Sequence, residues 1–480
     1  MLYRRSTCIK VALLPVVLLA AKPALAKPMT SALLDNGNAM SSLQTSDAEL
    51  QARSKNTTSL RISRSSYLHK LRGFWLGQNI ANWTGLITEM DKVGTPQTLP
   101  FYTDDDWGSK DLPAMWGEGV PHSDRIDFYI EKVDGVWGAD DDTDIEYMYL
   151  HLHHLHQTSK LTPAQIQQGW LAHTYADNEA PLFKKFVDSK PVRENFLWES
   201  NQTARDLMAK GVLPPQTSEE SVNKKSMMID AQLTTEIFGL LAPANVDVAL
   251  DIARLPIRVA GNNEAAEIAS FYVVMHSLAS VVDTKQPMSQ QTMWLANRAR
   301  EYLTDGSYPA AMYDFVLQHY LENPDKSNWE ATRDAIYQRY QLEQRDGYQQ
   351  QDPFAAGINF AASLVSWFYG QGDFKRTIQI GTLTGWDSDN PTATWGGLLG
   401  FMLSVDGVKA AFAEDNMSER YWIHRTRRNF VDYTKDEDGD DNFALMSQRM
   451  LDVIDRVVKE QMQGHVDESS WQITWSKNQP

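Results

Sequence analysis

Cysteine is nearly absent: the 480-residue chain has one, Cys8. A disulfide framework and a cysteine-ligated zinc site both need more than that. Positive charge is also scarce. Forty-five Lys and Arg face 62 Asp and Glu, a net charge of −17, which argues against tracking a nucleic acid backbone and favours cations or a neutral partner. Long uncharged apolar runs are missing beyond the extreme amino terminus, strand-like alternation is rare, and no fixed-period repeat occurs. What is present is enough apolar residue, 42%, to build a real core, and the 22% charged and 10% aromatic fractions exclude a disordered or collagen-like chain.

The amino terminus accounts for the single cysteine. Arg4, Arg5 and Lys10 surround the start of an apolar run over 11–21, too short to span a bilayer as a mature helix, and Ala24-Leu25-Ala26 is a small-x-small cleavage site. This order predicts a signal peptide over 1–26, a secreted or periplasmic protein, and no membrane span once the signal is removed. Its loss takes Cys8 and four bases but no acid, so the net charge moves from −17 to −21. Residues 27–66 are rich in Ser, Thr, Asn, Gln and Ala and poor in aromatics, which predicts a flexible exported segment. The folded body is expected over 67–480.

Within that body apolar residues recur at spacings of three and four over 145–155, 265–282, 293–303, 310–321, 355–368 and 443–458. Prolines fall mostly between these segments. The reading is all-α, a single large helical domain. Trp471-Gln472-Ile473-Thr474-Trp475 is the clearest period-two stretch.

Two acidic segments stand out. Asp140, Asp141 and Asp142 are adjacent where a loop enters a helix expected near Thr143, and Gly385-Trp386-Asp387-Ser388-Asp389-Asn390-Pro391 is a glycine-led turn into another helix. Helix capping needs one or two acids per start, worth about 1 kcal/mol each. Three in a row exceed that need, and oxygen-only ligands select hard cations such as Mg²⁺, Mn²⁺ or Ca²⁺. Thr103-Asp104-Asp105-Asp106 rivals the first cluster; Asp141 and Asp142 are preferred because an amphipathic helix follows them at once.

Three stretches in order carry a family resemblance. They are Gly73 to Gln78 with Asn82 to Glu89, then Asp141-Asp142-Thr143, then Gly385 to Asp389 followed by the small-residue run Thr392 to Gly400. Over Leu71 to about Phe412 the chain resembles the ADP-ribosylglycohydrolase family. The resemblance implies an all-α domain whose cleft holds two Mg²⁺ or Mn²⁺ ions and which cleaves the bond between ADP-ribose and an acceptor. Glu89, Asp141, Asp142, Asp387 and Asp389 resemble the metal ligands, with Asn390 where the family has a ligand Thr. Glu89 or Asp142 is then expected to assist proton transfer. Asn82 stands where a Gly-Asp pair is common, and Asp140 where a Thr is usual.

Trp386, Trp137 and Asn262 are candidate substrate contacts, since indole faces stack on sugar and adenine rings, although Trp also fills helical cores. Thr235-Glu236 and Gly261-Asn262-Asn263 are further candidates for the cleft border. The histidines of 151–156 are read as a helix face in preference to a zinc site. Arg420, His424, Arg425, Arg427 and Arg428 are expected to pair with the acidic run over 436–441, with pyrophosphate binding as the alternative. The leading functional reading is a metal-dependent hydrolase of a glycosidic bond in an ADP-ribosyl or related glycosyl substrate, either a small molecule or an ADP-ribosylated or glycosylated one. Two alternatives stay open: a non-catalytic ADP-ribose- or glycan-binding relative, and a sugar hydrolase with a non-nucleotide substrate.

Overall fold

The computed structural model describes residues 57–113, 123–138, 141–175, 182–183, 192–193, 197–350, 352–423, 427–434 and 440–476. The expected signal peptide over 1–26, most of the 27–66 segment, Trp116, Asp140, His424, Arg425 and residues 436–439 lie outside the described residues.

Fourteen α-helices dominate the described residues: α1 (Arg64–Gly85), α2 (Asp141–His156), α3 (Pro163–His173), α4 (Glu199–Ala209), α5 (Ile237–Leu241), α6 (Val246–Ala260), α7 (Asn263–Leu278), α8 (Met288–Arg300), α9 (Tyr308–Glu322), α10 (Glu330–Ile336), α11 (Ala356–Gly370), α12 (Phe374–Thr384), α13 (Asp389–Phe412) and α14 (Phe443–Glu460). The fold is all-α, and each segment with helical spacing in the sequence is a helix here. The sequence reading placed the start of the body at Tyr67, whereas a strand already runs over Thr57–Ser63 (β1). It pairs along its whole length with Ser470–Ser476 (β3), which also pairs with His465–Val466 (β2). Leu60 and Ile62 pack against the hydrophobic core, so the strand has apolar surface to bury as well as backbone bonds to make.

Helices α1 and α13 form the central antiparallel pair. Gly73 faces Gly400 and Ser404, and Gly77 faces Gly396, so closely that a methyl group at Gly73 would sit 2.2 Å from the Gly400 carbonyl oxygen and one at Gly77 2.3 Å from that of Gly396. Any side chain there would drive the helices apart. The contact runs to the end of α1, where a methyl group on Gly85 would meet Asp389 Cα at 2.4 Å. Close approach therefore carries the segment after α1, with Glu89, onto the turn that opens α13. Indoles fill the surrounding space: Trp75, Trp83, Trp137, Trp367, Trp386 and Trp395 are all fully buried. No helix among the described residues is long and apolar enough to cross a membrane.

Candidate active site

The turn before α13 is built to hold carboxylates. Gly385 adopts φ 104°, and a side chain there would meet the Lys92 carbonyl at 2.7 Å, so only glycine fits. Trp386 N–H donates to the Lys92 carbonyl at 2.7 Å and Met90 N–H to the Trp386 carbonyl at 2.9 Å, which zips the turn to the segment carrying Glu89. Thr88 and Ser388 hydroxyls lie 2.9 Å apart, and Ser388 donates to the Gly85 carbonyl at 2.9 Å. Asp387 N–H donates to Asn359 Oδ1 of α11 at 3.2 Å.

On this frame Glu89, Asp387 and Asp389 bring one carboxylate oxygen each within 4.8 Å of one another. Asp141 and Asp142, in the first turn of α2, line the same cavity. Asn82, on the last turn of α1, joins the clusters: its Nδ2 donates to Asp142 Oδ2 at 2.9 Å and to Asp389 Oδ2 at 3.2 Å. Four of the five acids are buried and Glu89 is half-buried. The cavity measures about 350 Å³, counting the solvent at its mouth, and is also lined by Trp198, Glu199, Ile229, Asp230, Leu233 and Phe354. Among the described residues its polar lining is therefore carboxylate throughout. A donor set of this kind, without nitrogen or sulfur, fits hard divalent cations and would be strongly self-repelling without them.

The other candidates sit elsewhere. Trp386 is not at the cavity; its backbone, at φ 60°, turns the indole onto Phe101, with ring centres 4.9 Å apart, and its Nε1 donates to Gln341 at 2.8 Å. Trp137 is also core, edge-on to Trp83 at 5.4 Å and donating to the Ser418 carbonyl at 2.8 Å. Asn390 is not among the lining residues: neighbouring residues of a helix point about 100° apart, and its Oδ1 accepts from Gln232 at 3.4 Å. Asn262 sits at the start of α7, where its N–H donates to the Ser226 carbonyl at 3.0 Å, and it does not line the cavity. Thr235 and Glu236 are buried below the cavity instead of at its border.

The rival acidic turn has a structural task. Asp104 takes two hydrogen bonds of 2.6 Å from Arg376 and one of 3.1 Å from Trp329 Nε1. His151 packs edge-on against His173, and burial pushes it down to about 3, so it is a neutral core residue. Arg420 pairs with Asp440, and Arg449 with Asp441. Pro391 is the third residue of α13, which starts at Asp389, and so lies in the first turn, whose N–H groups have no partner within the helix.

Sequence reasoning missed the far wall. Trp198 and Phe354 stack with centres 5.7 Å apart at 29°, and Trp198 holds an unusual φ of 38° at the start of α4. Asp230, fully buried, accepts from Asn201 N–H at 2.7 Å, and burial raises it to about 7. Glu199 pairs with Lys225 at 2.6 Å. An acid at a helix start was the available signal for Glu199, the same one that drew attention to Asp141.

Three comparisons bear on this geometry. The family model described as ADP-ribosylglycohydrolase matches residues 63–439. No curated protein gives a significant match. Among solved structures, one called ADP-ribosylglycohydrolase-related protein complex aligns over 82% of this chain and 99% of its own at 13% identity, with a TM-score of 0.46.

Proposed function

Since the chain belongs to the ADP-ribosylglycohydrolase family, we propose that it is an exported, metal-dependent hydrolase that cleaves the glycosidic bond of an ADP-ribosyl or related glycosyl substrate. The observation that carries this reading is the meeting of Glu89, Asp387 and Asp389 within 4.8 Å, in one cavity with Asp141 and Asp142. These five are the residues that would hold two Mg²⁺ or Mn²⁺ ions. Bound there, such ions supply positive charge for vicinal sugar hydroxyls to bind against and lower the pKa of a coordinated water.

The chain's own groups supply the rest. Asn82 holds one oxygen each of Asp142 and Asp389, which orients both carboxylates towards the cavity. The stacked Trp198 and Phe354 offer a flat apolar wall on which the C–H face of a sugar or the face of a base can rest. Water attacks the anomeric carbon as its bond to the leaving group breaks, through an oxocarbenium-like state that the surrounding carboxylates stabilise. Glu89, less buried than the other four, reaches the mouth and is the residue to accept the proton of the attacking water.

Release of reducing sugar from a panel of ADP-ribosyl and glycosyl substrates, with Mg²⁺ or Mn²⁺ and with EDTA, tests the reading. Turnover that needs the cation supports it; turnover undiminished by EDTA contradicts it. Metal binding without turnover of any substrate would favour the binding-protein alternative. Export is tested separately by the amino-terminal sequence of the mature protein, expected to start at Lys27.

A further inference from the structure

One helical turn below the acidic centre lies a second polar layer that the chemistry above does not use. Glu146 is four residues along α2 from Asp142, and Gln78 four residues back along α1 from Asn82. Gln78 Nε2 donates to Glu146 Oε2 at 2.7 Å, and the N–H of Ile237, at the start of α5, donates to Glu146 Oε1 at 2.7 Å. Glu236 accepts at Oε1 from Thr394 of α13 at 2.9 Å. Both carboxyls are essentially unexposed, at 0% and 1%. Glu236 Oε2 and Gln78 Oε1 have no hydrogen-bond partner among the described residues.

Among the described residues, the groups that contact this pair are neutral. Tyr272 of α7 also faces Glu236; its hydroxyl bonds to Ser363 at 2.7 Å, and burial raises it further. His276, on the same helix, is lowered to about 4 by burial and carries no charge at neutral pH. Two buried carboxyls that feel one another, with no cation beside them among the described residues, cannot both ionise cheaply. Burial first, and for Glu146 also the charge of Glu236, raises both, Glu236 to about 7.

We propose that Glu146 and Glu236 are positioning residues for the acidic centre, a carboxyl pair that fixes how closely α1, α2 and α13 meet one turn above it. The inference rests on the cation reading of that centre. The pair pins α2 to α1 through Gln78 and α13 to the start of α5 through Thr394. While Glu236 keeps its proton the three helices stay together; once that proton leaves, a buried charge in an apolar setting drives the helices that enclose it apart, and Asp142 moves with α2.

The test is Mn²⁺ affinity of the full chain, measured calorimetrically from about pH 6 to about pH 9. Wild-type affinity should fall about tenfold as pH rises above about 7, the size seen when groups behind metal ligands are disturbed. Glu236→Gln, whose amide stands in for a protonated carboxyl, should bind as wild type at the acid end and lose the alkaline fall. Glu236→Ala should bind about tenfold more weakly throughout. If the alanine variant does not fold, the glutamine profile alone decides. An alkaline fall in Glu236→Gln parallel to wild type overturns this inference and leaves the cation site intact. Failure of the wild type to bind Mn²⁺ at any pH overturns the cation reading, and this inference with it.

Discussion

Asn82 touches both acidic clusters and ties one expected ligand of each to the same amide. Its amide donates to Asp142 and to Asp389, partners 60 and 307 residues away, so each carboxylate is satisfied on one side by a neutral donor. Asn82→Ala should lower stability by about 1–3 kcal/mol in the presence of EDTA, the usual cost of stranding buried acceptors, with most of the loss recovered on adding Mn²⁺. Thermal melting with and without cation checks this; an equal loss in both conditions would mean that Asn82 has no bearing on the charged centre. In the sequence Asn82 registers only as a departure from the family pattern, because a bond across 307 residues leaves no local trace. Asp141, Asp142, Asp387 and Asp389 were legible because clustered acids at helix starts are unusual on their own, whereas Glu89 came only from the family resemblance. Trp386 misled for a related reason: adjacency to Asp387 says nothing of direction, and a positive φ turns its indole into the core.

At the scale of elements, the α1–α13 contact sets the site. The glycines of both helices read in the sequence as a small-residue pattern, and the structure gives their reason in the close backbone approach at Gly77 and Gly396. Gly77→Ala puts a methyl group 2.3 Å from a backbone oxygen that cannot move alone. Overpacking of this kind costs about 1–3 kcal/mol, and separation of the helices should also weaken Mn²⁺ binding, although Gly77 touches no acid of the centre. Denaturant midpoint and metal titration report the two effects; a stability loss with unchanged metal affinity would show that helix spacing does not govern the site. The choice between acidic turns is tested at the same scale. Asp104→Ala should cost about 1 kcal/mol, since the Arg376 pair is only partly buried, and should leave metal affinity unchanged. Altered affinity would restore the rival turn as a ligand source.

Across the chain as a whole, the first and last strands of the described residues meet. β1 lies at the start of the described fold and β3 at its end, and their pairing holds the first turn of α1 beside α14, where Arg64 and Asp455 form a 2.7 Å ion pair and Trp471 donates to the same carboxylate at 2.6 Å. Trp471 is fully buried, and Trp471→Ala should cost about 3–5 kcal/mol by urea denaturation. A smaller loss, within the range of a surface change, would place the sheet outside the cooperative unit. The helical class was readable from spacing alone, and so was β3. β1 was not, since its short alternation of Leu60 and Ile62 gains meaning only from a partner more than four hundred residues away. Global stability should also respond to pH through the buried pair. Because the folded state holds the Glu236 proton up to about 7, whereas an unfolded carboxyl releases it near 4.5, stability should decline between those values as pH rises.

The claim on which the rest depends is that the five clustered carboxylates bind divalent cations. Metal content of the purified chain after equilibration with Mn²⁺, compared between wild type and Asp389→Ala, tests it directly. The account predicts about two ions per wild-type chain and a clear deficit, with loss of turnover, in the variant. An equal content in both proteins, or none in wild type, would contradict it.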